Sequence, residues 1–275
     1  MLVTCFTVDV EDWFHVCGIG EIPPVSLNQW RVLDTTNRLL DLFDELGIRG
    51  TFFMLGSVAS AWPGLAAKIA ARGHEVASHG YSHRLVYDLT PEQFHEEIIR
   101  TGDLIAQQTG ISPVGFRAPQ WSLGERTPWA FEILAREGYL YDSSCSPLPF
   151  IGNSRNSLSP YRLSTASGKI WEIPPLVTST RFGNLPSGGG WGLRLLPMKT
   201  ILKGISNAHS GGNPAVFFLH PREVDPDGPR LRLPFLKRFA AYGTRCDVSP
   251  VVRRLAVTGT SITLREMVKL WPSAS

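Results

Sequence analysis

The chain has 275 residues, 43% hydrophobic and 19% charged, enough to bury a large core and about the size of one elaborated α/β domain. Its formal charge of +3 is scattered, with no run of five or more basic residues, which excludes a nucleic-acid footprint. No stretch of 18 apolar residues occurs, and the N-terminus enters a strand without a basic leader or cleavable apolar segment, so a cytoplasmic chain without a transmembrane segment is expected. Cys5, Cys17, Cys145 and Cys246 lack metal spacing and are expected as reduced thiols, buried or half-buried.

In chain order, residues 2–8 are an apolar, β-branched run of strand length, and the acids Asp9, Glu11 and Asp12 begin where it ends. Asp34-Thr35 starts a helix with Leu39, Leu42, Phe43 and Leu46 at helical spacing, and Gly47 ends it before a strand over 48–54. Pro63 opens and Gly73 closes an Ala-rich helix, and a short strand over 74–78 leads into His79 and His83. Thr90-Pro91-Glu92-Gln93 is a capping box for a helix running to about Gly110. A strand over 114–117, a helix from Thr127-Pro128 to Gly138, and strands over 139–142, 169–173, 215–219 and 262–264 complete the pattern. Repeated βα units imply parallel strands and right-handed crossovers, hence a barrel or a doubly wound sheet. Asp9, His79, Arg117, Asp142 and His220 each fall at or just beyond the C-terminal end of an expected strand, and in a barrel those ends share one face.

His79 and His83, at i and i+4, would stack two imidazoles on one face of a helical turn, and a carboxylate from elsewhere would complete a three-ligand metal site. Three acids within four residues repel one another unless a cation neutralises them. Imidazole suits zinc, cobalt and nickel alike, with zinc expected in the purified protein.

Five short motifs appear in order: Thr7-Val8-Asp9-Val10-Glu11-Asp12, His79-Gly80-Tyr81-Ser82-His83, Gly115-Phe116-Arg117-Ala118-Pro119, Tyr141-Asp142-Ser143-Ser144 and Phe218-Leu219-His220-Pro221. Together they resemble the polysaccharide deacetylases of carbohydrate esterase family 4, which carry the NodB-type homology domain. The variant is similar to the subgroup associated with bacterial exopolysaccharide biosynthesis, through Asp9-Val10-Glu11-Asp12-Trp13, the 186–191 segment and a helical extension starting near Arg230. The resemblance implies a distorted (β/α) barrel of seven or eight mostly parallel strands over 1–229, with 230–275 packed on the same domain. It also implies one divalent metal, and removal of N-acetyl groups from an amino-sugar polymer or lipid-linked glycan precursor.

Amide hydrolysis needs a nucleophilic water, a stabiliser for the oxyanion and an acid for the departing amine. Asp9 would be the base, Arg117 would hold it ionised and aimed, and backbone N–H near Pro119-Gln120 would help bind the oxyanion. His220 would protonate the amine, with Asp142 paired to it. The metal carboxylate stays open between Glu11, which shares Asp9's side of an extended strand, and Asp12, which reaches if the chain turns after Val10. Gln120 stands where the family often has an aromatic residue. Gln120, Trp121 and Trp191 are the candidate sugar contacts, and these tryptophans, like Trp13, have core or lid packing as their plain role. The run Gly188-Gly189-Gly190 is expected to be a mobile lid, and His15, His74, His95 and His209 to be structural or solvated. Two other functions stay open: hydrolysis of a small linear or cyclic amide, favoured by a site closed under that lid, and a non-catalytic, metal-stabilised carbohydrate-binding subunit.

Overall fold

Seven of the eight residues of β1 (Val3–Val10) are buried, as a parallel strand covered on both faces requires of its near-continuous apolar sequence. The computed structural model describes residues 2–16, 19, 23–149, 151–243 and 247–271. The further strands are β2 (Gly50–Met54), β3 (Glu75–Ser78), β4 (Gly115–Phe116), β5 (Tyr141–Asp142), β6 (Tyr161–Thr165), β7 (Gly168–Glu172), β8 (Thr178–Thr180), β9 (Gly183–Leu185), β10 (Ala215–Leu219) and β11 (Thr260–Ser261). One curled sheet runs in the order β10-β1-β2-β3-β4-β5-β7-β6, parallel throughout except for the last pair, and β11 adds in parallel to the start of β1. The hairpin β8–β9 stands apart. This is the distorted, mostly parallel (β/α) barrel of the sequence reading.

The helices are α1 (Val32–Leu46), α2 (Gly56–Ala61), α3 (Leu65–Ala71), α4 (Pro91–Thr109), α5 (Pro128–Arg136), α6 (Trp191–Leu195), α7 (Met198–Ser210), α8 (Phe235–Tyr242), α9 (Ser249–Leu255) and α10 (Leu264–Leu270). The main core gathers Leu39 and Phe43 of α1, Ile69 of α3, Ile201 of α7 and Val252 of α9 with Phe6, Phe52 and Phe217 of the sheet. None of the helices among the described residues is long and apolar enough to cross a membrane. Cys5 and Cys145 are buried and free, and burial pushes both thiols up; Cys17 and Cys246 lie outside the described residues.

Several local expectations are corrected. α1 starts at Val32, ahead of Asp34, because Asp12 from the loop after β1 accepts the backbone N–H groups of Arg31 and Val32. The helix expected from Pro63 to Gly73 is α3, which starts at Leu65 after Gly64 takes φ 95°, and a separate helix, α2, precedes it where the sequence reading placed none. The strand expected over 262–264 ends at Ser261, since Thr263 caps α10 in a capping box with Glu266.

The glycine run is not a lid. Phe218 N–H donates to Gly188 O at 2.8 Å, Gly189 bridges to Phe218, and Leu176 N–H donates to Val216 O at 2.8 Å. These segments cover the outer edge of β10 where the ladder stops and so close the barrel wall. A Cβ on Gly189 would sit 2.3 Å from Phe218 O; glycine is required there by close backbone approach.

Candidate active site

β1 ends in a tight turn, Glu11 N–H donating to Asp9 O at 2.9 Å. Asp9 and Glu11 therefore both reach the mouth formed by the C-terminal strand ends. The turn after Val10 does occur, yet it does not deliver Asp12. The Asp12 carboxylate accepts backbone N–H from Trp13, Arg31 and Val32 at 2.7–3.1 Å, so its oxygens are spent on the N-terminus of α1. Of the two candidate metal carboxylates, the structure brings Glu11, not Asp12, to the histidines.

His79 and His83 converge through a loop. Gly80 takes φ 72° and His83 φ 62° after β3, so left-handed turns, not a helical turn as expected from the spacing, aim both rings inward. Glu97 on α4 holds this loop by accepting N–H from Tyr81 (2.8 Å) and Ser82 (3.2 Å) and the Ser82 hydroxyl. His79 Nδ1–H donates to Arg117 O at 2.8 Å, which leaves Nε2 as the lone-pair nitrogen. That Nε2 is buried without a hydrogen-bond partner and lies 4.0 Å from Glu11 Oε2. Burial holds the His79 ring neutral by lowering its pKa. His83 Nε2 is 2.6 Å from the same Glu11 oxygen. Burial would raise the Glu11 carboxyl, but His83 and Arg222 beside it outweigh that and hold it well below the usual range.

One donor atom from each of Glu11, His79 and His83 lies within 4.8 Å of the others. Tetrahedral ligation with bonds of about 2.1 Å separates donors by about 3.4 Å, between the 2.6 and 4.0 Å found here. With two imidazoles, a carboxylate and an orphaned buried nitrogen, the residues fit a divalent ion.

Arg117 is fully buried. Its guanidinium donates to Asp9 Oδ1 (2.8 Å), Thr7 Oγ1 (2.7 Å), Ser143 O (2.9 Å) and Ser143 Oγ (2.9 Å), and covers the Phe53 ring at 4.2 Å. Beyond β10, His220 Nε2 lies 3.4 Å from Glu11 Oε1 and 3.9 Å from Asp9 Oδ2.

The expected pairing of His220 with Asp142 is corrected. Asp142 accepts from Ser144 Oγ (2.6 Å) and Ser144 N (3.1 Å) beside Glu172, and Ser144 Oγ in turn accepts Ala118 N–H at 2.8 Å. Asp142 thus fixes the strand end carrying Arg117. Burial raises the pKa of both Asp142 and Glu172, and the Asp142 charge raises Glu172 further. The carboxylate facing His220 is Glu223, whose Oε2 is 3.6 Å from Nδ1 and accepts the His220 backbone N–H at 3.0 Å. Burial opposes ionisation of Glu223, but His220 and Arg194 prevail and bring it down to about 2. The spacing His220-Pro221-Arg222-Glu223, that of a capping box, is the signal that would have found it. Arg222, which donates to Glu11 Oε1, and Glu172 carried no comparable signal.

Gln120 (φ 55°) and Trp121 (φ 57°) are consecutive left-handed residues, a strain characteristic of functional sites. The Trp121 ring packs edge-on to Phe218 at 4.9 Å and lies 5.1 Å from the Arg117 guanidinium. Both residues line a cleft of about 630 Å³, together with Tyr87, Arg126 and Asn153. Trp191, half-buried at the start of α6, is not among that cleft's lining residues. His15 packs 5.3 Å from His83, accepts Asp12 N–H, and is brought down to about 3 by burial. His74 accepts Gly50 N–H, His95 faces Glu137 and His209 faces Val3 O.

Residues 29–139 match the polysaccharide deacetylase family model, and residues 143–269 match a second, described as a domain of unknown function, DUF3473. The chain is 28% identical to a peptidoglycan deacetylase of Helicobacter pylori over 75% of this chain and 71% of that protein. Curated relatives from Gibberella zeae and Bacillus cereus are matched over only 32% and 37% of their length. Among solved structures, a putative polysaccharide deacetylase from Mycobacterium smegmatis superposes with a TM-score of 0.66 at 20% identity, covering 98% of this chain and 90% of that one. Puue allantoinase superposes at 0.63 and 17% identity, over 99% and 90%; both likenesses concern the fold. Residues 29–139 thus carry a match to the polysaccharide deacetylase domain, and the chain is similar to a peptidoglycan deacetylase over three quarters of its length.

Proposed function

We propose that this chain is a metal-dependent deacetylase that removes N-acetyl groups from an amino-sugar polymer or lipid-linked glycan precursor, in the setting of bacterial exopolysaccharide assembly. One observation carries the reading: the orphaned, buried His79 Nε2 is aimed at Glu11 and His83, within the mouth that also holds Asp9 and His220. Glu11, His79 and His83 would hold one divalent ion, zinc in the purified protein, with cobalt or nickel as alternatives. When bound, the ion supplies Lewis acidity for the acetamide carbonyl and for activating water.

The protein's own residues do the rest. Asp9 takes the proton of the attacking water on its carboxylate, which the Arg117 guanidinium holds and aims. His220 Nε2 gives its proton to the departing amine, and Glu223, 3.6 Å from Nδ1, holds the ring in place. A backbone N–H near Gln120, in the left-handed turn that follows Pro119, would share the oxyanion. The open cleft along Trp121 and Tyr87 suits an extended glycan. Hydrolysis of a small amide loses its sequence support, since Gly188 and Gly189 pack in the barrel wall. A non-catalytic metal-stabilised subunit would have no use for Arg117 buried against Asp9.

The test is acetate release from N-acetylhexosamine oligomers and lipid-linked glycans, with and without chelator, alongside metal analysis. Chelator-sensitive release with about one ion per chain supports the reading. Full activity in a metal-free protein, or no release from any glycan while a small amide is hydrolysed, overturns it.

A further inference from the structure

Between Gly228 and Gly243 the chain carries Arg230, Arg232, Lys237 and Arg238 and no acidic residue. Within this stretch α8 leaves Phe235 71% exposed, Leu236 78% and Phe239 43%. Large apolar side chains scattered singly on a surface are ordinary, whereas three adjoining ones mark a contact surface. At about 100° per residue, Phe235, Phe239 and Leu236 fall within an arc of about 100°, and Lys237 and Arg238 flank it. Tyr242 secures the C-terminal end of the helix, with Oη donating to Trp13 O at 3.2 Å and accepting Leu231 N–H at 3.0 Å. Trp13 directly follows Asp9, Glu11 and Asp12 in the loop at the C-terminal end of β1, so α8 is moored on the barrel face that bears the active-site mouth.

We propose that α8 and its basic flanks seat this protein on an anionic lipid surface, with the site mouth beside the bilayer. An apolar arc bordered by cations lies naturally in a membrane interface, rings among the acyl chains and cations at the headgroup phosphates. A second copy of the chain would bring the same net positive charge of the 228–243 stretch to the contact. Three such side chains also offer on the order of 400 Å², about half of what each partner buries in a stable protein interface. The contact is reversible, because one short helix is a weak anchor. The inference does not depend on the deacetylase reading; joined to it, it favours the lipid-linked substrate over the free polymer.

The experiment is co-sedimentation of the full chain with vesicles of phosphatidylcholine alone or mixed with phosphatidylglycerol, at low and high salt, with sedimentation velocity and thermal melting as controls. The expected result is binding to the anionic vesicles only, weakened by salt. Phe235→Ser with Leu236→Ser and Phe239→Ser should cut partitioning more than tenfold. Arg230→Gln with Arg232→Gln should cut it about fivefold per charge at low ionic strength. Both variants should melt with the parent, since the altered side chains are exposed. No binding, equal binding to neutral vesicles, or a concentration-dependent dimer abolished by the apolar substitutions would overturn the proposal, the last by assigning the surface to a second copy.

Discussion

Replacing Arg117 by methionine separates what the buried ion pair does for the fold from what it does for chemistry. The guanidinium has no exposure and meets Asp9 Oδ1 at 2.8 Å, and Asp9 is only 4% exposed. Arg117→Met therefore leaves a carboxylate buried without its counter-charge, a loss of about 3–5 kcal/mol. Thr7 Oγ1 and Ser143 Oγ keep other partners, Phe217 O and Ile173 O, so the main additional loss is the bond to Ser143 O. In a chain of this size the change should lower Tm by on the order of 10 °C. Asp9→Asn alone should cost less stability but lose about 10²–10⁴-fold in kcat, since it removes the base. The double variant carries neither charge, so its stability loss should fall short of the sum of the single losses by about 1–3 kcal/mol, while acetate release does not recover. Thermal melting and acetate release on all four proteins complete the cycle. Strictly additive stability losses, or an Arg117→Met protein that melts with the parent, would refute the coupling of Asp9 to Arg117.

Glu11→Gln should lower metal content at a fixed free-metal concentration, whereas Asp12→Asn should keep the metal and lose about 0.5–2 kcal/mol through the weakened cap of α1; metal titration with melting curves distinguishes them, and the reverse pattern would move the ligand to Asp12. Glu223→Gln should slow acetamide cleavage more than cleavage of an activated aryl acetate, whose leaving group needs no proton, and equal losses on both substrates would remove Glu223 from the proton-donating pair. Glu172 has a raised folded-state pKa, so its contribution to stability is greatest below the unfolded value of 4.5 and is lost as pH rises through 4.5 toward the folded value. Glu172→Gln should accordingly flatten the decline in Tm as pH rises above 4.5, and a variant whose Tm falls as steeply as the parent's would show that Glu172 carries no such penalty.

Much of the barrel was legible in sequence because its signals are local. The capping box at Thr90, the αL glycines ending α1 and α4, and the apolar runs of β1 and β10 each describe a few consecutive residues. The placement of Asp9, His79, Arg117 and His220 at strand ends followed from those elements alone, because parallel strands in a barrel send their C-terminal ends to one face. What the sequence could not decide is what each side chain meets once the ends converge. Asp12 and Glu11 are neighbours of the same chemistry, yet one caps α1 and the other faces His83, a difference made by residues 31 and 32 arriving from beyond the loop. Asp142 lies at a strand end like the others, but Ser144 and Glu172 occupy its oxygens while Glu223 faces His220. The glycines at 188 and 189 look like flexibility in a linear reading and become close packing only when β10 needs an edge partner. Hydrophobic period and caps are properties of consecutive residues, so sequence by itself determines them; carboxylate partners are chosen by contacts between residues far apart in the chain, and only the tertiary structure decides those.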